Sequence, residues 1–281
     1  MTATTTGGLR VLGSRDLPAL SALLARDPIA HCFVSSRLEG SGMDAWRLGG
    51  EVWGWSEDGT LVSALNLGAN LIPVETTAAA RAAFADHAGR VGRRCSSIVG
   101  PAEEVLDLWA LLEPAWGPAR EVRGQQPLLA IEVAPRVRPD AAVRPLRSAE
   151  LDAVLPACVA MFTEEVGVSP LAGGGAEPYR ARVAEMLRRG RAFGRIEDGR
   201  VVFKAELGAV SADASQVQGV WVDPALRGRG LAAPALAAVV EQAYRLAPVV
   251  SLYVNDFNAP ARAAYERVGF AAVGTFATVL F

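Results

Sequence analysis

The chain has 281 residues, 51% of them hydrophobic, and a mean hydropathy of +0.23, enough to bury one large core or two ordinary ones. Its net charge of −2 and pI near 5.8 provide no global basic field, which argues against nucleic acid or an anionic membrane as a partner. Cys32, Cys95 and Cys158 are scattered without C-x-x-C spacing, so neither a metal site nor a disulfide framework is expected.

The N-terminus Met1-Thr-Ala-Thr-Thr-Thr-Gly-Gly lacks the basic and apolar regions of a signal peptide, and no apolar run approaches about eighteen residues. A cytoplasmic protein with reduced thiols is the expectation. A strand and one or two helices are followed by a strand on which Trp53 and Trp55 alternate with Val52 and Gly54, as core or interface residues. Glu57-Asp-Gly59 then turns a hairpin, because glycine tolerates positive φ. The strand Asn70-Leu-Ile-Pro-Val74 passes through Glu75-Thr-Thr77 into a helix over 78–88, and another helix covers 103–112. His31 and His87 fall in this stretch and read as packing or surface residues.

The pattern then repeats. Arg10-Val-Leu-Gly-Ser-Arg-Asp-Leu-Pro-Ala19 aligns with Arg144-Pro-Leu-Arg-Ser-Ala-Glu-Leu-Asp-Ala153, and Glu57-Asp-Gly-Thr-Leu-Val62 with Glu197-Asp-Gly-Arg-Val-Val202. Leu67-Gly-Ala69 answers Leu207-Gly-Ala209. Two copies of a unit of about 135 residues follow, covering 1–135 and 141–281, with a boundary in Ala134-Pro-Arg-Val-Arg-Pro-Asp140.

In the second copy, Met161-Phe-Thr-Glu-Glu-Val-Gly-Val-Ser-Pro170 ends a helix and leads into the loop Leu171-Ala-Gly-Gly-Gly-Ala-Glu-Pro178, with Tyr179 opening the next helix. The strand Val201-Val-Phe-Lys-Ala-Glu-Leu207 puts Val202, Lys204 and Glu206 on one face. Lys204 is the chain's only lysine, and two opposite charges on an interior strand must pair with each other or with a substrate.

Gln218-Gly-Val-Trp-Val-Asp-Pro-Ala-Leu-Arg-Gly-Arg-Gly-Leu-Ala232 reads as a strand, a turn, a glycine- and arginine-rich loop, and a helix from Leu231 to about Arg245. Gly228 and Gly230 let backbone N–H groups converge, the helix adds its positive end, and Arg227 and Arg229 add two cations, so a pyrophosphate is the natural guest. No Gly-Lys-Ser/Thr occurs, which excludes the lysine-based P-loop. Gly228-Arg-Gly-Leu-Ala-Ala233 formally matches the dinucleotide fingerprint, but Asp223 to Arg227 separates it from the strand and no acidic residue closes a following strand. Further on, Asn255-Asp-Phe-Asn-Ala-Pro260 leads into Ala261-Arg-Ala-Ala-Tyr-Glu-Arg-Val-Gly-Phe270, a short helix stopped by glycine.

These two motifs resemble the Arg-Gly-x-Gly-x-Ala signature and the Asn-x-x-Ala-x-x-x-Tyr-x-x-x-Gly-Phe block of the GCN5-related N-acetyltransferases (GNAT). The resemblance implies an α/β fold class: two tandem acyl-CoA N-acyltransferase folds, each a mixed, mostly antiparallel sheet flanked by helices. It implies acetyl-CoA as co-substrate, held at Arg227, Gly228, Arg229, Gly230, Leu231 and Ala232, with Asn255 and Asn258 touching it. It also implies that backbone N–H groups of Val220, Trp221 and Val222 pair with the pantetheine arm and polarise the acetyl carbonyl, and that Tyr265 protonates the departing thiolate. Glu206 is the preferred general base. In such proteins the connection between the first two helices covers the acceptor, so Glu164, Glu165, Lys204 and Tyr179 become substrate candidates for a small-molecule amine or a protein amine. Val202-Phe-Lys-Ala-Glu206 and Gln218-Gly-Val-Trp221 resemble actinobacterial members that join a degenerate N-terminal half to a complete C-terminal one. Glu75-Thr-Thr77 offers no glycine or arginine, so the first copy is read as a structural or homodimerising half that has lost the cofactor, or else as part of the substrate pocket. A non-catalytic acyl-CoA-sensing module and, less favoured, a nucleotide-dependent oxidoreductase remain as alternatives.

Overall fold

The computed structural model describes residues 7–281. In chain order it contains β1 (Gly7–Val11), α1 (Leu17–Leu24), α2 (Cys32–Ser41), α3 (Ala45–Leu48), β2 (Glu51–Glu57), β3 (Thr60–Leu67), β4 (Asn70–Val74), α4 (Ala78–Val91), β5 (Ser97–Pro101), α5 (Ala102–Trp116) and β6 (Glu121–Ile131). There follow β7 (Arg144–Pro145), α6 (Leu151–Val166), α7 (Ala176–Arg188), β8 (Ala192–Glu197), β9 (Arg200–Val210), β10 (Ala214–Val222), α8 (Ala232–Ala243), β11 (Val249–Tyr253), α9 (Ala259–Val268) and β12 (Ala271–Leu280). Among the described residues, no helix is long and apolar enough to cross a membrane.

The repeat is visible in local chemistry. Both Glu-Asp-Gly hairpins place two successive residues at positive φ, Asp58 (48°) with Gly59 (82°) and Asp198 (48°) with Gly199 (75°), the backbone of a type I′ turn that matches strand twist. Arg10 donates to both oxygens of Asp16, at 2.7 and 2.5 Å, and Arg144 does the same to Glu150, at 3.0 and 2.6 Å. Each of these carboxylates also accepts a backbone N–H three residues upstream, from Gly13 and Arg147 respectively, fixing the entry to the first helix of its copy.

The chain forms two compact units whose boundaries differ from the consecutive blocks 1–135 and 141–281. The first takes in the chain up to Leu129 together with Tyr253–Asn258 and Ala272–Phe281; the second is Ala130–Leu252 with Ala259–Ala271. The closing strand of the second copy is thus built into the first unit, where β12 pairs antiparallel with β5 from Phe276↔Pro101 to Leu280↔Ser97.

The first unit's sheet runs β1-β2-β3-β4-β5-β12-β6, with β4 and β5 parallel across the crossover helix α4. Leu65, Phe84, Ile98, Leu108 and Leu112 are buried beneath its helices α4 and α5. In the second unit the order is β11-β10-β9-β8-β7, antiparallel except for β10 with β11, which are joined through α8. Four alanines and three larger aliphatic residues in succession on α8, Ala235 to Val240 and Ala243, are buried, so this helix lies close on its sheet. In both units the parallel ladder is short. β4 and β5 pair at Asn70↔Ser97 and Leu71↔Ile98, and β10 and β11 from Ala214↔Val249 to Gln216↔Ser251, although β10 continues for six more residues. Beyond Gln216 the β11-facing edge of β10 has no ladder with that strand.

Candidate functional site

Three parts of the second unit carry the candidate site. The first is the entrance of α8. Asp223 Oδ1 accepts the N–H of Ala225 at 2.9 Å and so caps a 3-10 turn over Pro224–Leu226, which carries the chain off β10. Gly228 and Gly230 then take φ of +76° and +78°. A Cβ at either would meet no atom within 4 Å, so glycine is required there by the backbone conformation. Leu231 at the N-cap provides no side-chain cap, and Pro234 in the first turn has no N–H. Arg227, Gly228, Arg229 and Gly230 are exposed, Leu231 and Ala232 half-buried. Arg227 donates Nε to the carbonyl of Val222 at 3.1 Å and Nη2 to both oxygens of Glu164, at 2.8 and 3.1 Å.

The second part is the strand pair β9/β10. Gln218 faces Glu206 and Trp221 faces Lys204, so Gly219 and Val220 stand opposite Ala205 alone, which is a β-bulge. Gly219 sits at φ +58°, and a Cβ on it would lie 3.1 Å from Lys204 Nζ and 3.2 Å from the Glu206 carboxyl. Lys204 is 1% exposed; its ammonium donates to Glu206 Oε1 at 2.5 Å and to the carbonyl of Gly219 at 3.0 Å. The other oxygen of Glu206 receives the Gln218 amide at 3.4 Å. The Cys158 thiol lies 4.0 Å from Glu206 Oε1, and burial pushes its pKa up to about 11. The indole of Trp221 packs into the apolar cluster under α6, and its Nε1 is buried without a hydrogen-bond partner. Val220 and Val222 are half-buried.

The third part is formed by α6, α7 and α9. The helix α7 begins at Ala176, so Ala176, Glu177 and Pro178 belong to its first turn, where proline's missing N–H costs no hydrogen bond; the loop, expected to run to Pro178, ends three residues earlier. The Tyr179 hydroxyl donates to the carbonyl of Cys158 at 2.9 Å and its ring meets Phe162, so this side chain ties α7 to α6. Glu164, in the last turn of α6, is committed to Arg227. Glu165 beside it is close enough to act on Tyr265, which is 8% exposed on α9. Burial, with the Glu165 charge adding to it, raises the Tyr265 phenol well above its usual range.

Asn255 and Asn258 lie in the first unit. The side-chain oxygen of Asn255 accepts the amide of Gln126 at 2.8 Å, and its carbonyl accepts the N–H of Asn258. In that unit the junction corresponding to the α8 entrance is closed by the chain's own side chains. The hydroxyl of Thr77 caps α4 through the N–H of Ala80, and Glu104 Oε2 accepts both the N–H and the hydroxyl of Thr76 at 2.6 Å. Glu75, at φ +52°, faces His31, with 3.1 Å between Oε1 and Nε2. His31 is buried and His87 stacks on Trp53, with ring centroids 3.8 Å apart.

Residue-by-residue reading of the sequence leaves out Gly219, Gln218 and Cys158 as members of the Glu206 cluster. A glycine inside a run of strand formers is the signal that marks the bulge.

Residues 167–270 match the Acetyltransferase (GNAT) family and residues 50–154 a domain of unknown function, DUF4081. No curated protein matches the chain in sequence. The solved structure of a GCN5-related N-acetyltransferase from Sphaerobacter thermophilus superposes with a TM-score of 0.61 at 16% identity, covering 98% of this chain and 95% of that one. A tandem GNAT protein from the clavulanic acid biosynthesis pathway gives 0.54 at 16% identity, covering 98% of both chains. A GNAT-family acetyltransferase from Colwellia psychrerythraea gives 0.54 at 14%, covering 98% of this chain and 99% of that one. The fold is therefore that of tandem GNAT proteins, each copy a mixed, mostly antiparallel sheet flanked by helices. Over residues 167–270 the chain is thus similar to the Acetyltransferase (GNAT) family, and over residues 50–154 to the domain of unknown function DUF4081.

Proposed function

We propose that the second unit moves acetyl from acetyl-CoA to a primary amine, on a small molecule or a protein, by direct attack in a ternary complex. The observation that carries this reading is the contrast between two equivalent junctions. The entrance of α4 is filled by Thr77 and Glu104, whereas that of α8 has two left-handed glycines, two arginines and no side-chain cap. A helix start without a side-chain cap, beside two left-handed glycines and two exposed arginines, fits a pyrophosphate.

Acetyl-CoA supplies the activated acyl thioester. Arg227, Gly228, Arg229, Gly230, Leu231 and Ala232 would hold its pyrophosphate through backbone N–H groups and guanidinium charge. The edge of β10 over Val220, Trp221 and Val222 would pair with the pantetheine arm and polarise the acetyl carbonyl, as an open strand edge can. Tyr265, its proton retained through neutral pH by burial, would protonate the departing thiolate. Glu206 would take the amine's proton at Oε2, the oxygen that Lys204 does not hold. Glu164 and Glu165 would present negative charge to a cationic acceptor once Arg227 turns to phosphate.

Calorimetric titration of acetyl-CoA into the wild type and Arg227→Ala/Arg229→Ala tests the reading. One site per chain, lost in the variant, is expected. Two sites would mean that the α4 entrance also binds, and no binding at all would remove the proposal.

A further inference from the structure

Lys204 is the one lysine in a chain that otherwise uses arginine, and it is among the most deeply buried large side chains. Burying an ammonium is unfavourable by several kcal/mol unless it is paired and hydrogen-bonded. Here it is bonded to the Glu206 carboxylate at 2.5 Å and to the carbonyl of Gly219 at 3.0 Å, with the Cys158 thiol also against it. Gly219 is the bulge residue of β10, left-handed at φ +58°, and its carbonyl is bound by an ammonium where a regular strand would pair it with backbone. A Cβ at 219 would crowd both members of the ion pair, 3.1 Å from the ammonium and 3.2 Å from the carboxyl, at a left-handed φ that strains any residue but glycine. Bulge and ion pair therefore form one device. An ammonium is a compact point donor that fits between a carboxylate and a carbonyl, where a planar guanidinium would need more room. Val220 completes the bulge and Trp221 and Val222 follow it directly, so the direction of all three depends on how it is held.

We propose that Lys204 is a positioning residue. Its ammonium, charge-balanced by Glu206, pins the Gly219 carbonyl and so sets the β10 edge that receives the acylated arm of the donor, instead of binding the acceptor amine. This rests on the acetyl-CoA reading above. It separates the two ends of the donor: contacts of the arm depend on Lys204, and those of the phosphates at the α8 entrance do not.

The test uses two probes by calorimetry, acetyl-CoA and 3′-phospho-ADP, the nucleotide end without the arm. Lys204→Met/Glu206→Gln keeps the cluster neutral and near its original volume. It is expected to weaken acetyl-CoA about tenfold, while 3′-phospho-ADP stays within about twofold. Gly219→Ala, which strains the bulge from the backbone side, should give the same selective loss; thermal melts report whether each variant is folded. Unchanged acetyl-CoA affinity in both variants overturns the inference, and so does an equal loss for both probes, which marks a general structural role. Failure of the wild type to bind either probe is a different result, because it removes the acetyl-CoA reading and this inference with it.

Discussion

The closed α4 entrance gives a quantitative expectation for Glu104→Ala. Glu104 Oε2 is the acceptor for two donors of Thr76, the N–H and the hydroxyl, both at 2.6 Å, and Thr76 is 7% exposed. Each buried donor left without a partner is destabilising by about 1–3 kcal/mol, so the alanine variant, which orphans two, should lose about 2–6 kcal/mol. Arg81, itself 8% exposed, donates to the Thr76 carbonyl at 2.5 Å and to Asp107 at 3.0 Å, so it stays in place when the carboxylate is removed. Glu104→Gln keeps an oxygen acceptor and removes a charge whose burial raises the carboxyl pKa. It should lie within about 1 kcal/mol of the wild type. The sign of the pH effect follows from that raised value. The folded state holds this proton more tightly than the unfolded state, so the charge penalty is absent below the unfolded value and complete above the folded one. Glu104→Gln should therefore gain on the wild type as pH rises from about 4 to about 8. Urea unfolding followed by far-ultraviolet circular dichroism at both ends of that range measures all three proteins. A loss under about 0.5 kcal/mol for Glu104→Ala, or equal damage from both substitutions, would refute the view that this carboxylate closes the entrance.

Other expectations follow from the same geometry. Tyr265→Phe should lower kcat about a hundredfold or more at saturating substrates, read as thiol release with primary amines, while acetyl-CoA affinity holds; wild-type turnover in the variant would exclude the phenol as general acid. Glu164→Gln frees Arg227 from a half-exposed ion pair and should tighten acetyl-CoA binding by up to about fivefold at low salt, with the gain fading as salt is raised. An unchanged affinity at low salt would mean that the pair does not compete with phosphate. Asp16 and Glu150 are both held at about 2, each foremost by its arginine partner, so their folded values lie below the unfolded ones. Their contribution is complete above about pH 5 and lost as pH falls toward about 2; Arg10→Met/Arg144→Met should flatten acid unfolding, and an unaltered acid limb would count against it.

Features set by neighbouring residues are legible in the sequence, and those set by distant pairing are not. Asp-Gly at two hairpin tips forces positive φ locally, so Glu57-Asp-Gly59 and Glu197-Asp-Gly199 are readable as turns and as a repeat. Gly228 and Gly230 announce the α8 entrance for the same reason. Lys204 and Glu206 are visibly on one face at spacing two, but their third partner, the Gly219 carbonyl, depends on the register between β9 and β10. The pairing of Glu164 with Arg227 joins residues 63 apart in the chain, beyond any periodicity argument. Most distant of all is β12. Its apolar residues suit an inner strand of either unit, and nothing within Ala271–Leu280 says that it completes the unit to which it is not contiguous.

The two junctions also show why one copy can be read as structural and the other as a site. A helix start without a side-chain cap lacks roughly 1 kcal/mol that a Thr, Ser or Asp would provide, and left-handed glycines add conformational entropy to the unfolded chain. At α4 the chain supplies the cap with Thr77 and occupies the preceding N–H with Glu104. At α8 it supplies neither: Asp223 caps the preceding 3-10 turn, and Glu164 engages the arginine of the loop instead of the helix start. A ligand that satisfies those N–H groups returns the missing stability only when bound, by RT ln(1 + [L]/Kd), about 2.7 kcal/mol at a hundredfold excess over Kd. The second unit should therefore gain stability from acetyl-CoA, while the first, already satisfied by its own side chains, should gain none through α4.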